Sequence, residues 1–256
     1  MDTGRIERLP FVERILRFDS IDSTNTCACA MEESPRDGLF VVVARTQRAG
    51  RGQRGNTFYS DNDGGLWVSL VVPMADMQEH FAVNRSLAMA ACDAVQAVAG
   101  VHCRIKWPND IYAGERKLAG ILLEAVWREP PRIVAGLGMN VNVDTAQFPS
   151  DIRGLATSLY ILTGKQFPPE QLLEALLVEF DSARRSEPGT ARKRYSRMLL
   201  GVGCAAAIGD ARGVFRGVDE RGQARLDCDG GARYFSSGPL RFVESPFHDS
   251  RGNGAP

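Results

Sequence analysis

Lysine is nearly absent from this sequence: Lys106, Lys117, Lys165 and Lys193 stand against 27 arginines. Neither sign of charge is in surplus, because 31 Lys and Arg balance 31 Asp and Glu. That balance excludes the broad basic field of a protein whose main partner is nucleic acid, although it leaves room for a local basic groove. Histidine is scarce, at His80, His102 and His248. The six cysteines (Cys27, Cys29, Cys92, Cys103, Cys204, Cys228) form no C-x-x-C pair, so zinc-ligand spacing is missing. A chain of 256 residues does not need a disulfide framework, and reduced, mostly buried thiols are expected. No run approaches the ~18 to 20 apolar residues that span a bilayer, and the N-terminal residues lack a signal-peptide apolar stretch. No membrane association and a cytoplasmic location are therefore expected.

What is present reads as ordinary globular protein, with 44% hydrophobic and 24% charged residues. Coding bias explains the arginine excess at most surface positions, where either cation serves. A compact ammonium and a planar guanidinium differ, however, wherever a cation must approach a reacting oxygen. Each of the few lysines is therefore a candidate.

The pattern predicts strands at 11–21, 39–44 and 66–72, with a first helix in T-C-A-C-A-M-E-E after Ser23, Thr24 and Asn25, all good N-caps. A helix over 81–99, stopped by Gly100, leads into an antiparallel meander through 102–107, 110–127 and 132–143, with its hairpin at Ala113–Gly114–Glu115. A polar loop is expected over 144–156, then helices over 169–184 and 190–200 separated by Glu187, Pro188 and Gly189. Beyond Gly201 short β-like pieces with glycine turns suggest a small all-β barrel. Three segments are expected: a larger α+β domain over 1–200, a barrel over 201–245 and a disordered tail over 246–256.

The loop A-G-R-G-Q-R-G (49–55) satisfies G-x-G-x-x-G, but turn-like N-T-F-Y-S-D-N-D-G-G follows it where a dinucleotide fingerprint needs a helix. A P-loop is excluded because no G-K-[ST] follows. What remains is a flexible backbone carrying Arg45, Arg48, Arg51 and Arg54 with no acid among them. Such a loop suits an anion, through guanidinium forks and close backbone N–H groups. By composition alone it equally suits a solvated or nucleic-acid-binding surface. Lys106 and Lys117 flank a Trp-Pro-Asn-Asp turn, and Lys117 opens an apolar strand where an ammonium needs a partner anion. A snorkelling edge lysine is the alternative.

Taken in order, S-T-N (23–25), R-T-Q-R-A-G-R-G-Q-R-G (45–55), K-W-P-N-D (106–110), R-K-L-A-G-I-L-L-E (116–124) and G-L-G-M-N-V-N (136–142) resemble a biotin-protein ligase. The resemblance runs from about residue 15 to about 243, taking in R-G-V-D-E-R-G-Q-A-R-L (216–226). It implies an α+β fold: a class II-synthetase-like, biotin/lipoyl-ligase catalytic domain with a mixed sheet and flanking helices, followed by an SH3-like β-barrel. The implied activity joins biotin to ATP with Mg²⁺, releases pyrophosphate, and passes the biotinyl group to a lysine of a biotin carboxyl carrier domain of a biotin-dependent carboxylase. Relatives occur as monomers and homodimers.

By the same resemblance Lys117 is the catalytic lysine, between the biotin carboxylate and the α-phosphate, and Arg51 is the loop arginine ordering over both. Ser23, Thr24, Asn25 and Gln47 surround the ureido ring, while Gly50, Gly52 and Gly120 give close backbone walls and Gln53 completes the biotin side. Asn109 and Asn140 fall near adenine, and Lys106, Arg54, Gln53 and Asp110 near the phosphates, with Asp110 a candidate Mg²⁺ contact or, equally, a turn cap. Cys27 and Cys29 are expected to pack the first helix.

The sequence departs from the family where Gln53 replaces a frequent second loop arginine, where Asn56 follows Gly55, and where Phe58 stands for a frequent Trp. A neutral Gln adds no charge, so biotinyl-5'-AMP should escape faster than from a Gln53→Arg variant. Fewer than twenty-five residues precede Ser23, too few for the helix-turn-helix head of bifunctional relatives, so no operator binding is expected. A lipoate-protein ligase or octanoyltransferase is the nearest alternative. A silent biotin-sensing or nucleic-acid-binding module is an alternative of another class.

Overall fold

The computed structural model describes residues 4–74, 76 and 79–247. Seven strands build the larger sheet: β1 (Val12–Ile21), β2 (Leu39–Gln47), β3 (Gly65–Pro73), β4 (Arg104–Lys106), β5 (Asp110–Ala113), β6 (Arg116–Val126) and β7 (Arg132–Asn140). Their spatial order is β1-β2-β3-β7-β6-β5-β4. Only the β1–β2 pair is parallel, and the others are antiparallel. This is the mixed sheet with flanking helices of the sequence-based expectation.

Side chains alternate across the central strands. Leu39, Val41 and Val43 of β2 join Val68 and Leu70 of β3 and Ile133, Ala135 and Leu137 of β7 in the main core. The intervening Phe40, Val42, Val71 and Val134 form a smaller cluster on the opposite face. Helices α2 (Glu79–Ala99) and α4 (Pro169–Arg185) cover the main-core face and pack on each other. In α4, Leu172, Leu173, Leu176, Leu177 and Phe180 are buried at helical spacing, each contributing roughly 1.5–3 kcal/mol by removal from water.

Helix α1 (Thr24–Ala30) lies on the smaller-cluster face, against β2, β3 and β7. It begins at Thr24 because the Ser23 hydroxyl accepts the Thr26 amide at 3.4 Å, and it ends at Ala30, before the expected M-E-E extension. Cys27 and Cys29 pack there as expected, but of the six free thiols only Cys92 is fully buried.

The helix expected over 190–200 is α5 (Pro188–Met198). Proline is suited to a first helical position, and Glu187 caps the helix, so these residues start α5 and do not merely separate two helices. The loop expected over 144–156 is followed by a short helix, α3 (Leu159–Thr163), whose five residues are too few to show a period.

From Ala205 onward β8 (Ala205–Ile208), β9 (Ala211–Val218), β10 (Ala224–Cys228), β11 (Gly231–Phe235) and β12 (Leu240–Phe242) form a second, antiparallel sheet in the order β11-β10-β9-β8-β12. Its Ile208, Phe215, Leu226 and Leu240 belong to the main hydrophobic cluster. The Trp107 Nε1–H donates to the Gly222 carbonyl at 2.9 Å, tying the β9–β10 turn to the K-W-P-N-D segment. Of the tail expected to be disordered, Pro246 and Phe247 are described, and the Phe247 ring stacks on Tyr112 at 6.3 Å. Residues 248–256 lie outside the described residues.

Candidate functional site

Glycines clear part of the sheet face that carries the smaller cluster. In register across the strands, Trp67 of β3 faces Gly138 of β7, Gly138 faces Gly120 of β6, Gly120 faces Asp110 of β5, and Asp110 faces Lys106 of β4. The next row on that face runs Ser69, Gly136, Leu122. The same strands carry Leu137, Ala119 and Ile121 toward the core, so a glycine at alternate positions leaves a floor without weakening the packing beneath it.

Those glycines admit specific neighbours. A Cβ at Gly136 would meet Asn25 Oδ1 at 2.0 Å, and one at Gly138 would meet the Phe58 ring at 2.7 Å. Phe58 lies over this floor, edge-on to Trp67 with centroids 5.9 Å apart. The loop that carries it is more ordered than the expected flexible backbone: Phe58 N–H donates to Gly50 O (2.9 Å), Gly52 N–H donates to Asn56 O (2.7 Å), and Arg51 bridges Thr57. The hairpin closes through Arg54 and Gly55, both with positive φ (58° and 76°). A Cβ at Gly50 would meet Ser60 Oγ and Phe58 O, so Gly50 shapes the hairpin and does not line the cavity.

Polar groups close the other side. Thr24 N–H and Oγ1–H donate to Gln47 Oε1 at 2.8 and 3.0 Å, and Gln47 Nε2–H donates to Ser60 Oγ at 3.1 Å. Ser69 Oγ lies 2.6 Å from Asn25 Oδ1 and 2.8 Å from Thr24 Oγ1. Asn25 Nδ2–H donates to Glu124 Oε2 at 2.9 Å and to Leu122 O at 3.2 Å. Ser23, Thr24, Asn25 and Gln47 are all buried, so their donors and acceptors are fixed in direction.

Two ion pairs face the same space. Arg51 grips Glu124 with both terminal nitrogens, at 2.9 and 3.1 Å. Lys117 Nζ is 2.7 Å from Asp110 Oδ1 and 5.6 Å from the Phe58 ring centroid. The Lys117 backbone is clipped to residues 155–157 by Lys117 N–H to Leu155 O and Thr157 N–H to Lys117 O, each 2.9 Å. The cavity, part-open to solvent, has a volume of about 50 Å³ and is lined by Ser23, Asn25, Gln47, Arg51, Gly52, Gln53, Asn109, Lys117 and Gly120 among the expected residues.

Others stand apart. Thr24 sits behind the lining, and Asp110 is held by Lys117. Asn140 is buried, its Nδ2–H donating to Thr157 O at 3.0 Å. The exposed Arg54 reaches toward the turn at Gly238. Lys106 lies in an adjoining groove, its Nζ 3.5 Å from the Tyr112 hydroxyl. Burial pulls the Lys106 pKa down, Asp110 opposes this, and Lys117 and Arg241 add to it.

Sequence reasoning passed over Glu124, Ser69 and the pair Gly136 and Gly138 as individual contributors. For Ser69, Gly136 and Gly138 the signal was the small residues within apolar strands, and for Glu124 a lone acid ending one; their meaning shows only once the faces are assigned. Cys29 is beside this network, and burial, with Glu124 close by, pushes its thiol up to about 11, so it is a thiol and not a nucleophilic thiolate.

Residues 17–140 match the model of the biotin/lipoate A/B protein ligase family. The biotin--[acetyl-CoA-carboxylase] ligase of Paracoccus denitrificans is 30% identical over 235 residues, covering 86% of this chain and 97% of its own. The chain belongs to the biotin protein ligase family. A second such ligase, from Mycobacterium tuberculosis, is 30% identical over 80% of this chain and 79% of its own. The bifunctional ligase/repressor BirA of Bacillus spizizenii is 27% identical over 89% and 74%. Among solved structures, the biotin protein ligase of Aquifex aeolicus in complex with biotin and ATP superposes with a TM-score of 0.77 at 24% identity, over 90% of this chain and 99% of that one, a likeness of fold.

Proposed function

We propose that this biotin protein ligase joins biotin to ATP and transfers the biotinyl group to one lysine of a carrier domain of a biotin-dependent carboxylase. In the first step a biotin carboxylate oxygen attacks the α-phosphorus, the bond to the bridging oxygen of the β-phosphate breaks, and pyrophosphate leaves with the electron pair. In the second the carrier lysine's amine attacks the acyl carbon, AMP leaves with the pair, and the amine loses a proton. Both steps bring anions together or develop negative charge on oxygen, so preorganised cations supply the catalysis and no protein nucleophile is needed.

The observation that carries this reading is the pairing of Arg51 with Glu124 and Lys117 with Asp110 across one glycine-floored cavity. Glu124 and Asp110 hold the places of two anions, and an entering carboxylate and α-phosphate would replace them at Arg51 and Lys117. Ser23, Asn25 and Gln47 offer donors and acceptors to the ureido ring, Gly52 and Gly120 the close walls, and Gln53 a neutral contact to phosphate. Asn109 borders the same cavity on the nucleotide side, whereas Lys106 and Asn140 would reach a nucleotide only by leaving Tyr112 and Thr157, and the exposed Arg54 only from outside the cavity.

About 50 Å³ accommodates one or two waters, each taking about 30 Å³ of liquid. A ligand would displace Glu124 from Arg51, and the 50–58 hairpin that carries Arg51 would adjust with it. Among the described residues no three His, Cys, Asp or Glu side chains group to hold a metal, and Asp110, once displaced from Lys117, would offer a single carboxylate. These residues do not fit a protein-held Mg²⁺; the ion belongs with the ATP phosphates, and no step here runs through it.

The catalytic unit would comprise residues 1–200 and the smaller unit 201–245, the latter of SH3-like type. No helix among the described residues is long and apolar enough to cross a membrane, and a cytoplasmic monomer or homodimer fits the reading. A lipoate ligase reading is less favoured because the ligases reported above act, by name, with biotin. An octanoyltransferase would need an activated cysteine that Cys29 does not provide.

The test is incubation with biotin, ATP, Mg²⁺ and a carrier domain, followed by mass measurement of the carrier. A biotin-sized gain, slowed at least ~100-fold in Lys117→Ala, is expected. No gain with an authentic carrier, or a gain with lipoate alone, refutes the proposal.

A further inference from the structure

A second cavity, about 480 Å³, lies between α2, α5 and the β9–β10 turn. Its wall contains two polar side chains that the fold has buried without satisfying. Arg85 is 7% exposed and its Nε has no hydrogen-bond partner; Tyr195 is 1% exposed and its hydroxyl has none either. Both pack on Phe81, the guanidinium 5.6 Å from the ring centroid and the Tyr195 ring edge-on at 5.7 Å. Leaving such donors unpaired costs free energy that an apolar replacement would avoid. Arg85 therefore points to a ligand more than to stability.

The rest of the wall has the matching charge. Arg192, Lys193 and Arg197 project from α5, giving four cations with Arg85. Against these four cations the wall carries two acids. Asp219 accepts the Arg221 and Gln223 amides at 2.9 and 2.8 Å, and Glu220 sits 3.8 Å from Arg192. Burial lowers the Arg85 pKa, repulsion from Arg192 adds to this, and Tyr195 opposes it.

We propose that this cavity is a binding site for a small phosphate-class oxyanion carrying more than one negative charge, held by the terminal nitrogens of Arg85 with Arg192 and Lys193. Guanidinium forks suit tetrahedral oxygens, and the volume exceeds a single phosphoryl group, which favours a diphosphate or a phosphorylated small molecule. The site is distinct from the cavity of Arg51 and Lys117. It is joined to it through the β9–β10 turn, where Gly222 receives the Trp107 hydrogen bond and packs on Phe81. It does not depend on biotin chemistry.

Inorganic pyrophosphate, titrated calorimetrically at fixed ionic strength, is the probe, with wild type, Arg85→Gln, Arg192→Gln and Lys117→Ala compared. Arg85→Gln should bind at least about tenfold more weakly and Arg192→Gln severalfold more weakly, while Lys117→Ala retains one class of site. Arg192 is part-exposed, so its variant tests the site even if Arg85→Gln folds poorly. Wild-type affinity in both arginine variants, loss of all binding in Lys117→Ala, or no binding to the wild type at millimolar pyrophosphate overturns the proposal. Failure here leaves carrier biotinylation untouched, and failure of biotinylation leaves this titration interpretable.

Discussion

Glu124 does two jobs with one carboxylate: it accepts Asn25 at the back of the candidate site and forks with Arg51 at the front. The pair is part-exposed, 48% for Arg51 and 26% for Glu124, so the bridge is worth at most about 1 kcal/mol. Glu124→Gln keeps an acceptor for Asn25 but removes the charge facing Arg51. The 50–58 hairpin should then open up to about fivefold more often, read as faster trypsin cleavage after Arg51 and Arg54, with added biotin restoring protection in both proteins. An unchanged cleavage rate would show that the hairpin is held by its own backbone bonds. Gly138 is the complementary case, because there the missing side chain matters. Gly138→Ala places a methyl 2.7 Å from the Phe58 ring and should destabilise by about 1–3 kcal/mol in urea unfolding. Adding Phe58→Ala should cost less than the sum of the two single changes.

At the scale of elements, α5 is held at its start by a charge. The Glu187 carboxylate accepts the Gly189 and Thr190 amides at 2.7 and 2.6 Å, and these bonds hold its carboxyl below the ordinary glutamate value. A carboxylate whose folded pKa is depressed stabilises the fold above its unfolded pKa, and that contribution is lost as pH falls through the lowered folded value. Glu187→Ala should therefore lower the melting temperature at pH 7, with the gap closing under acid. A gap that persists well below the glutamate range would point to a conformational role. Helix α4 was readable in advance because its buried leucines repeat with the helical period. Helix α3 was not, because one turn has no period, and α5 was misplaced by two residues because Pro188 reads as a breaker when it is in fact a first helical residue.

For the molecule as a whole, the two sheets share one hydrophobic cluster and meet at Trp107. Trp107 is 2% exposed, and Trp107→Phe removes its N–H and leaves the Gly222 carbonyl unpaired, a loss of about 1–3 kcal/mol in denaturant unfolding. Amides at 219–223 should exchange faster in that variant than amides of the larger sheet. Equal acceleration in both sheets would mean that they unfold as one unit.

Much of this protein is determined locally, and so by the sequence itself. The alternation in β2 and β3, the helical repeat of α4, the glycine turns after residue 200 and the ordered set of motifs suffice for an α+β ligase-type catalytic region followed by a small β unit. They suffice too for Lys117, Arg51, Ser23, Asn25 and Gln47 as residues of one site, because each sits in a motif. Only the tertiary structure decided which residues share a wall. It paired Arg51 with Glu124 across 73 positions, buried Asn140 away from the cavity, sent Lys106 to a neighbouring groove and brought Arg85 and Tyr195 to one unsatisfied pocket. The reason is physical: a side chain's period reports which face of its own element it takes, but which acid or ring meets it there depends on strand order and register, and these are set by long-range pairing.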